Sequence, residues 1–202
     1  MKDYICINNQ KIELTEEQVK KILEASGNAG TKLSEFAVGE VAVIGKHEMI
    51  VLEHTGGNTW LLRKDALCTM AFGKDNNYNG SDADRVCNEF AEELTAIVGE
   101  ENFMIHCLDL TADDGLKGYG MVMRKASLRT ANMQRKYVEI LDKYRLDIWE
   151  WLATAFSIPP HDEDNWVKCV SPSGYISNDN CNIEVLGVRP FCILKSDIFV
   201  SK

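Results

Sequence analysis

The chain has 202 residues, 45% of them hydrophobic, and a formal net charge of −9. This length and apolar content suit one domain of ordinary size with an appendage and a real core. The acidic balance argues against passive attraction to DNA, RNA or anionic lipid, and no apolar run approaches the roughly 18 residues of a membrane-spanning helix.

The start, Met1-Lys2-Asp3-Tyr4, meets polar residues too soon for a secretory signal. Tyr4 to Ile7 and Lys11 to Leu14 flank Asn8-Asn9-Gln10 and predict a hairpin. Thr15-Glu16-Glu17-Gln18 reads as a capping box, in which the Thr15 hydroxyl accepts the Gln18 N–H and the Gln18 amide reaches back. Val19, Ile22 and Leu23 would form one apolar stripe on the helix that follows, Gly27 would end it, and Asn28 to Thr31 would be a joint. Glu40 to Ile44, Met49 to Leu52 and Thr59 to Leu62 predict an antiparallel meander, its last turn at Thr55-Gly56-Gly57-Asn58. A polar loop from Asp75 to Asp84 leads into a helix capped by Ser81, with Val86, Phe90, Leu94 and Ile97 at helical spacing. Glu101 to Leu108 reads as one strand and Thr111 to Leu116 as a loop. Ser127 to Thr130 would introduce a second long helix carrying Met133, Tyr137, Ile140, Leu141 and Tyr144. From Ile148 on, the pattern is strand and loop, which gives an α+β class.

Several groups invite chemistry. Asp75, Asn77, Asn79 and Gly80 match the opening of a calcium-binding loop, but its ninth and twelfth positions are Ala83 and Val86, where a bidentate Glu would be needed. His161 to Asn165 and Asn178-Asp179-Asn180 could pool oxygen ligands, yet the calcium–sugar tripeptides Glu-Pro-Asn and Gln-Pro-Asp are absent, so no metal and no cofactor is predicted. His47, His54, His106 and His161 are the only histidines, and none is placed by sequence beside a particular thiol or hydroxyl. The seven cysteines (Cys6, Cys68, Cys87, Cys107, Cys169, Cys181, Cys192) are odd in number and lack a C-x-x-C pair. They read as reduced, mostly buried thiols in a cytoplasmic protein. Acidic residues interleave with basic ones, as in Arg135 to Lys143, which predicts a solvated mixed surface.

The specific signature lies in the last third: Trp149-Glu150-Trp151-Leu152-Ala153-Thr154, then Trp166 to Gly174 ending in Ser-Pro-Ser-Gly, then Gly187-Val188-Arg189-Pro190. This order resembles the C-type-lectin-like domains of bacterial and phage proteins, and is similar to the variable proteins of diversity-generating retroelements. It follows the order of elements from Leu33 to Ser201 and is sharp from Trp149 to Leu194. The resemblance implies a C-type-lectin-like fold, antiparallel strands with two main helices, over residues 31–202, preceded by the hairpin–helix unit of residues 1–30. It implies that the polar loop before the last strand is the binding surface, presenting Tyr175, Ser177, Asn178, Asp179, Asn180, Asn182 and Glu184, with Ile158 to Asn165 beside it. Trp149, Trp151, Trp166 and Arg189 would be scaffold: the two tryptophans two apart share a core-facing side, and Arg189 ties loops together. Two departures stand out: Tyr175 is the only aromatic in the presented stretch, and Glu150 interrupts a Trp run.

The function so implied is non-enzymatic ligand binding, with a protein partner, in a phage or mobile genetic element. The N-terminal unit would dock the domain to a particle, a partner or a second copy, and the location would be a cytoplasm or a phage particle. Neither nucleic acid nor membrane is an expected direct partner. Two alternatives from other classes are an intracellular inhibitor of a bacterial defence nuclease and an enzyme like the formylglycine-generating oxidases. The latter share the fold and use a cysteine pair near the C-terminus, which draws attention to Cys169, Cys181 and Cys192.

Overall fold

The computed structural model describes residues 4–7, 10–15, 17–19, 30–161 and 164–201. Strands β1 (Tyr4–Ile7) and β2 (Gln10–Glu13) pair antiparallel with Ile7 opposite Gln10, the hairpin expected from the sequence. The capping box forms in both directions: Thr15 Oγ1 accepts the Gln18 N–H at 3.3 Å, and the Gln18 side-chain oxygen accepts the Thr15 N–H at 2.8 Å. Ile22, Leu23, Gly27 and the start of the joint lie outside the described residues.

The remainder is α+β, with mostly antiparallel strands and few helices. Strand β3 (Thr31–Lys32) pairs with β17 (Phe199–Val200), so the two ends of residues 31–201 meet. Strands β4 (Val41–Ile44), β5 (His47–Thr55) and β6 (Asn58–Arg63) are the meander. Gly56 and Gly57 turn the β5–β6 hairpin with φ of 58° and 77°, a left-handed pair that glycine adopts without a Cβ clash. The sheet continues through β16 (Pro190–Lys195) to β11 (Ala126–Leu128), and β8 (Phe103–Met104) pairs with the other half of β16.

Helix α1 (Asp82–Val98) covers one face of this sheet, with Phe90, Ala91 and Leu94 in one core with Met49, Val51, Leu61, Cys192 and Leu194. Ser81 is its N-cap, accepting the Asp84 N–H at 3.1 Å. The buried stripe is rotated from the predicted one: Phe90 and Leu94 are core, whereas Ile97 is half exposed, its side chain lying over the Gly45 turn where a Cβ would come within 2.7 Å of it.

The other face is covered by α2 (Ala131–Lys136) and α3 (Val138–Leu141). One long helix introduced by Ser127 to Thr130 is the expectation. Ser127 and Leu128 are fully buried in β11 and the helix does start after the N-cap Thr130, but it breaks at Tyr137. The break lets the Tyr137 ring join Ile50, Leu52, Leu62 and Phe191, while its hydroxyl donates to Glu53 at 2.6 Å. The predicted strand from Glu101 to Leu108 also divides. Phe103 enters the first core through β8, and β9 (His106–Asp109) pairs, among the described residues, only with β10 (Met121–Arg124), so Leu108 reaches a second core.

That second core belongs to a second sheet, ordered β14-β13-β12-β15-β7, with β7 (Cys68–Met70), β12 (Glu150–Ala155), β13 (Trp166–Val170), β14 (Ile176–Asn180) and β15 (Leu186–Val188). Only the β12–β15 pair is parallel. One face buries Trp151, Ala153, Val167, Cys169 and Val188 with Phe72, Tyr78, Leu108 and Val122; the other packs Leu152 and Val170 on Ala131. Burial on both faces explains why β12 is inaccessible along its whole length. No helix among the described residues is long and apolar enough to cross a membrane.

Candidate functional site

The seven residues expected on a presented loop occupy one end of the second sheet, but most of them form a strand. Ser177, Asn178, Asp179 and Asn180 lie in β14, half-buried, with Tyr175 before it and Asn182 and Glu184 in the turns after it. The polar sequence masked the strand because β14 is an edge, where one side of the backbone needs no partner and Asn and Asp are tolerated. The hairpin that presents it is the Ser-Pro-Ser-Gly turn: Gly174 (φ 89°) donates to the Ser171 carbonyl at 2.8 Å, and Ser171 Oγ accepts the Tyr175 N–H at 3.1 Å.

The register fixes which backbone groups are open. Lys168 lies opposite Asn178, and at either end the Ser171 N–H reaches the Tyr175 carbonyl at 2.9 Å and the Cys181 N–H reaches Asn165 at 2.7 Å. Alternation then turns the backbone groups of Ser177 and Asp179 towards β13 and those of Ile176, Asn178 and Asn180 outwards. Asn180 is closed off, since its N–H donates to Asp179 Oδ1 at 2.8 Å and its carbonyl accepts from Ile183 at 3.0 Å. The N–H and C=O of Ile176 and Asn178 have no partner among the described residues. Beside them Tyr175 is 75% exposed.

Behind this edge lies a buried aromatic core. Trp151 is 0% exposed, its indole N–H donates to the Met70 carbonyl at 2.9 Å, and its ring meets Phe72 edge-on. Trp149 corrects the expectation of a shared core face: it is 40% exposed, because the regular alternation of β12 begins only at Glu150. Trp166 is half-buried opposite Asn180. Arg189 is buried and donates to the carbonyls of Arg63 (2.7 Å) and Tyr144 (3.1 Å).

Glu150, which looked like an interruption, is the hub of a buried ion triad. Its carboxylate meets Arg129 at 2.7 and 3.0 Å and Arg189 at 3.5 Å, and Arg129 also donates to Gln134 at 2.6 Å. Burial pushes the Glu150 carboxyl up, but the Arg129 and Arg189 guanidiniums outweigh it and its pKa lies below the ordinary glutamate value. A clue was available in the sequence for two of the three, since Glu150 and Arg189 each stand among apolar neighbours.

On the outer face of the sheet, Lys168 is nearly buried, packed over the Phe156 ring and 3.2 Å from Asp113, whose other oxygen holds Arg135 at 2.7 Å. Burial raises the Asp113 carboxyl, and the bonds from Arg135 and Lys168 pull it net below the usual aspartate value. Asp113 and Arg135 also line a cavity of ≈ 420 Å³ between β9, the loop of residues 111–115 and the start of α2. Trp60, Phe191 and His106 form one wall of contacting rings. Neither this cavity nor the Asp113 bridge was anticipated, since their residues are scattered from Trp60 to Phe191.

The other candidates resolve into structural roles. Asp75 and Asn77 use a side-chain oxygen to accept the N–H two residues on, at 3.1 and 3.0 Å, and buried Asn76 donates to the carbonyls of Ser157 and Trp166. Asp84 is gripped by Arg124 at 2.8 and 2.7 Å. Among the described residues no three His, Cys, Asp or Glu side chains cluster to hold a metal; Asp162 and Glu163 lie outside them. His54 joins Thr59 to the Phe36 carbonyl, and His47 packs edge-on against Phe90. His106 meets Ser127 at 2.9 Å, and burial, with Arg124 nearby, lowers its pKa to about 4. Cys68, Cys87, Cys107, Cys169, Cys181 and Cys192 are free thiols. Cys87, Cys169, Cys181 and Cys192 are buried, and burial pushes Cys169 up to about 12, so it stays protonated at neutral pH, unlike a nucleophile. Comparisons of the chain with models of protein families, with curated proteins and with solved structures return no match.

Proposed function

We propose that the chain is a binding domain rather than a catalyst, built on a C-type-lectin-like scaffold in a phage or mobile genetic element, and that it takes a protein partner along the β14 edge. The observation that carries this reading is the pair of unpartnered N–H and C=O groups at Ile176 and Asn178. An extended segment of the partner laid beside β14 meets two donors and two acceptors already at ladder spacing, the chemistry of strand addition. Tyr175 at one end, and Asn182 and Glu184 at the other, supply side-chain specificity. The scaffold assignment is supported by the way the signature folds: Trp-rich strand, Ser-Pro-Ser-Gly turn, polar strand and Gly-Val-Arg-Pro strand follow one another around one sheet and into the next. The N-terminal hairpin would give the domain its second attachment.

The test is affinity capture from bacterial lysate with the wild-type chain and with Asn178→Pro. Proline deletes an outward donor without removing a bond to β13. Loss of the captured protein from the proline variant is the expected result; equal capture by both would overturn the assignment of the edge.

A further inference from the structure

We propose that the ≈ 420 Å³ cavity beside α2 is a binding site for a small aromatic molecule bearing a carbonyl or carboxylate group, separate from the β14 edge. Its volume lies within the range of small-molecule sites, about 300–1,000 Å³. The first supporting feature is the ring wall: Phe191 contacts Trp60 at 5.4 Å and His106 at 5.1 Å between ring centroids, so the wall is preformed by mutual packing.

The second is a surplus of donors. Thr154 is 5% exposed; its hydroxyl accepts the Ala131 N–H at 3.0 Å, and its own proton has no acceptor among the described residues. Thr130 repeats the arrangement, accepting from Met133 at 3.2 Å with its proton unused. Asn132 gives its oxygen to Arg135 at 3.1 Å, which leaves its amide hydrogens free. Of the two carboxylates in the lining, Asp113 lies between Arg135 and Lys168, and Asp109 uses Oδ1 to accept from the Thr111 N–H and hydroxyl. A buried hydroxyl proton without a partner is costly. A ligand that brings acceptor oxygens satisfies it while its ring lies on the aromatic wall.

The experiment is titration of the full chain with benzoate, benzamide and benzylamine, followed by amide and indole NMR shifts. Saturable shifts of the Trp60 indole N–H and the Ala131 amide with benzoate, benzamide or both are expected, and the two probes distinguish an acid from a neutral carbonyl ligand. Benzylamine, a donor, should not saturate. Thr154→Val should weaken binding by about tenfold, as for one lost hydrogen bond, and Thr154→Ser should restore it. Asn132→Ala, at an exposed position, should also weaken it, which keeps the test decisive if Thr154→Val fails to fold. Asn178→Pro should leave it unchanged, so this site and the β14 edge stand or fall apart. Absence of saturable shifts with both carbonyl probes, equal binding of benzylamine, or insensitivity to both Thr154→Val and Asn132→Ala would overturn the proposal.

Discussion

At Glu150 one carboxylate pairs with two guanidiniums in the buried seam between the sheets, and it is itself 4% exposed. Glu150→Ala would leave Arg129 and Arg189 buried without their counter-charge, a loss of about 3–5 kcal/mol, measurable by urea unfolding. Trp151→Ala should cost a similar amount, about 3–5 kcal/mol, through the cavity it opens, whereas Trp149→Ala should cost far less because its ring is already partly in water. His106 makes the residue scale visible in pH. Its folded pKa, about 4, lies below the unfolded value near 6.5, so the unfolded chain binds the extra proton first. The stability it contributes is therefore complete above 6.5 and lost as pH falls from 6.5 to about 4, by up to about 3 kcal/mol. His106→Gln, which can still reach Ser127, should flatten that slope in denaturant titrations between pH 6.5 and 4. It will not abolish the slope, because buried His47 is shifted the same way.

Among the elements, β14 separates two roles that alternate along one strand. Ser177 donates inwards to β13 and Asn178 outwards to solvent, so proline at the two positions has opposite consequences. Asn178→Pro should cost less than about 1 kcal/mol, since no ladder bond to β13 is lost, while Ser177→Pro should lose about 1–3 kcal/mol with its ladder bond. Urea midpoints of the two variants check this. Elements whose signals are local were legible: the Ser81 cap, the Gly56-Gly57 turn, the capping box at Thr15 and the β4–β6 meander all depend on neighbours in sequence. Elements decided by distant packing were not. Tyr137 breaks a helix to reach Glu53, Ile105 joins two short strands that serve different cores, and the polar run at Ser177–Asn180 is a strand because β13 lies beside it. For the candidate site, the signature pointed to residues 175–184, while their geometry as an edge strand depends on β13 and was not legible.

For the whole molecule, two sheets share the work. The first is clamped between α1 and the α2–α3 segment, and the second carries the Trp151 core; the Glu150 triad joins them and leaves β14 at the margin. Such a division lets one edge change its side chains without loss of the cores, which is what a binding domain requires. The acidic charge and mixed surface fit a protein partner better than a polyanion. Amide hydrogen exchange of the chain, alone and with the captured partner, tests this claim most directly. Alone, Ser177 and Asp179 should be protected and Ile176 and Asn178 should exchange fast. With the partner bound, Ile176 and Asn178 should become protected as well. Unchanged exchange at Ile176 and Asn178, with new protection confined to Tyr4–Ile7 and Gln10–Glu13, would contradict the account and move the binding surface to the N-terminal hairpin.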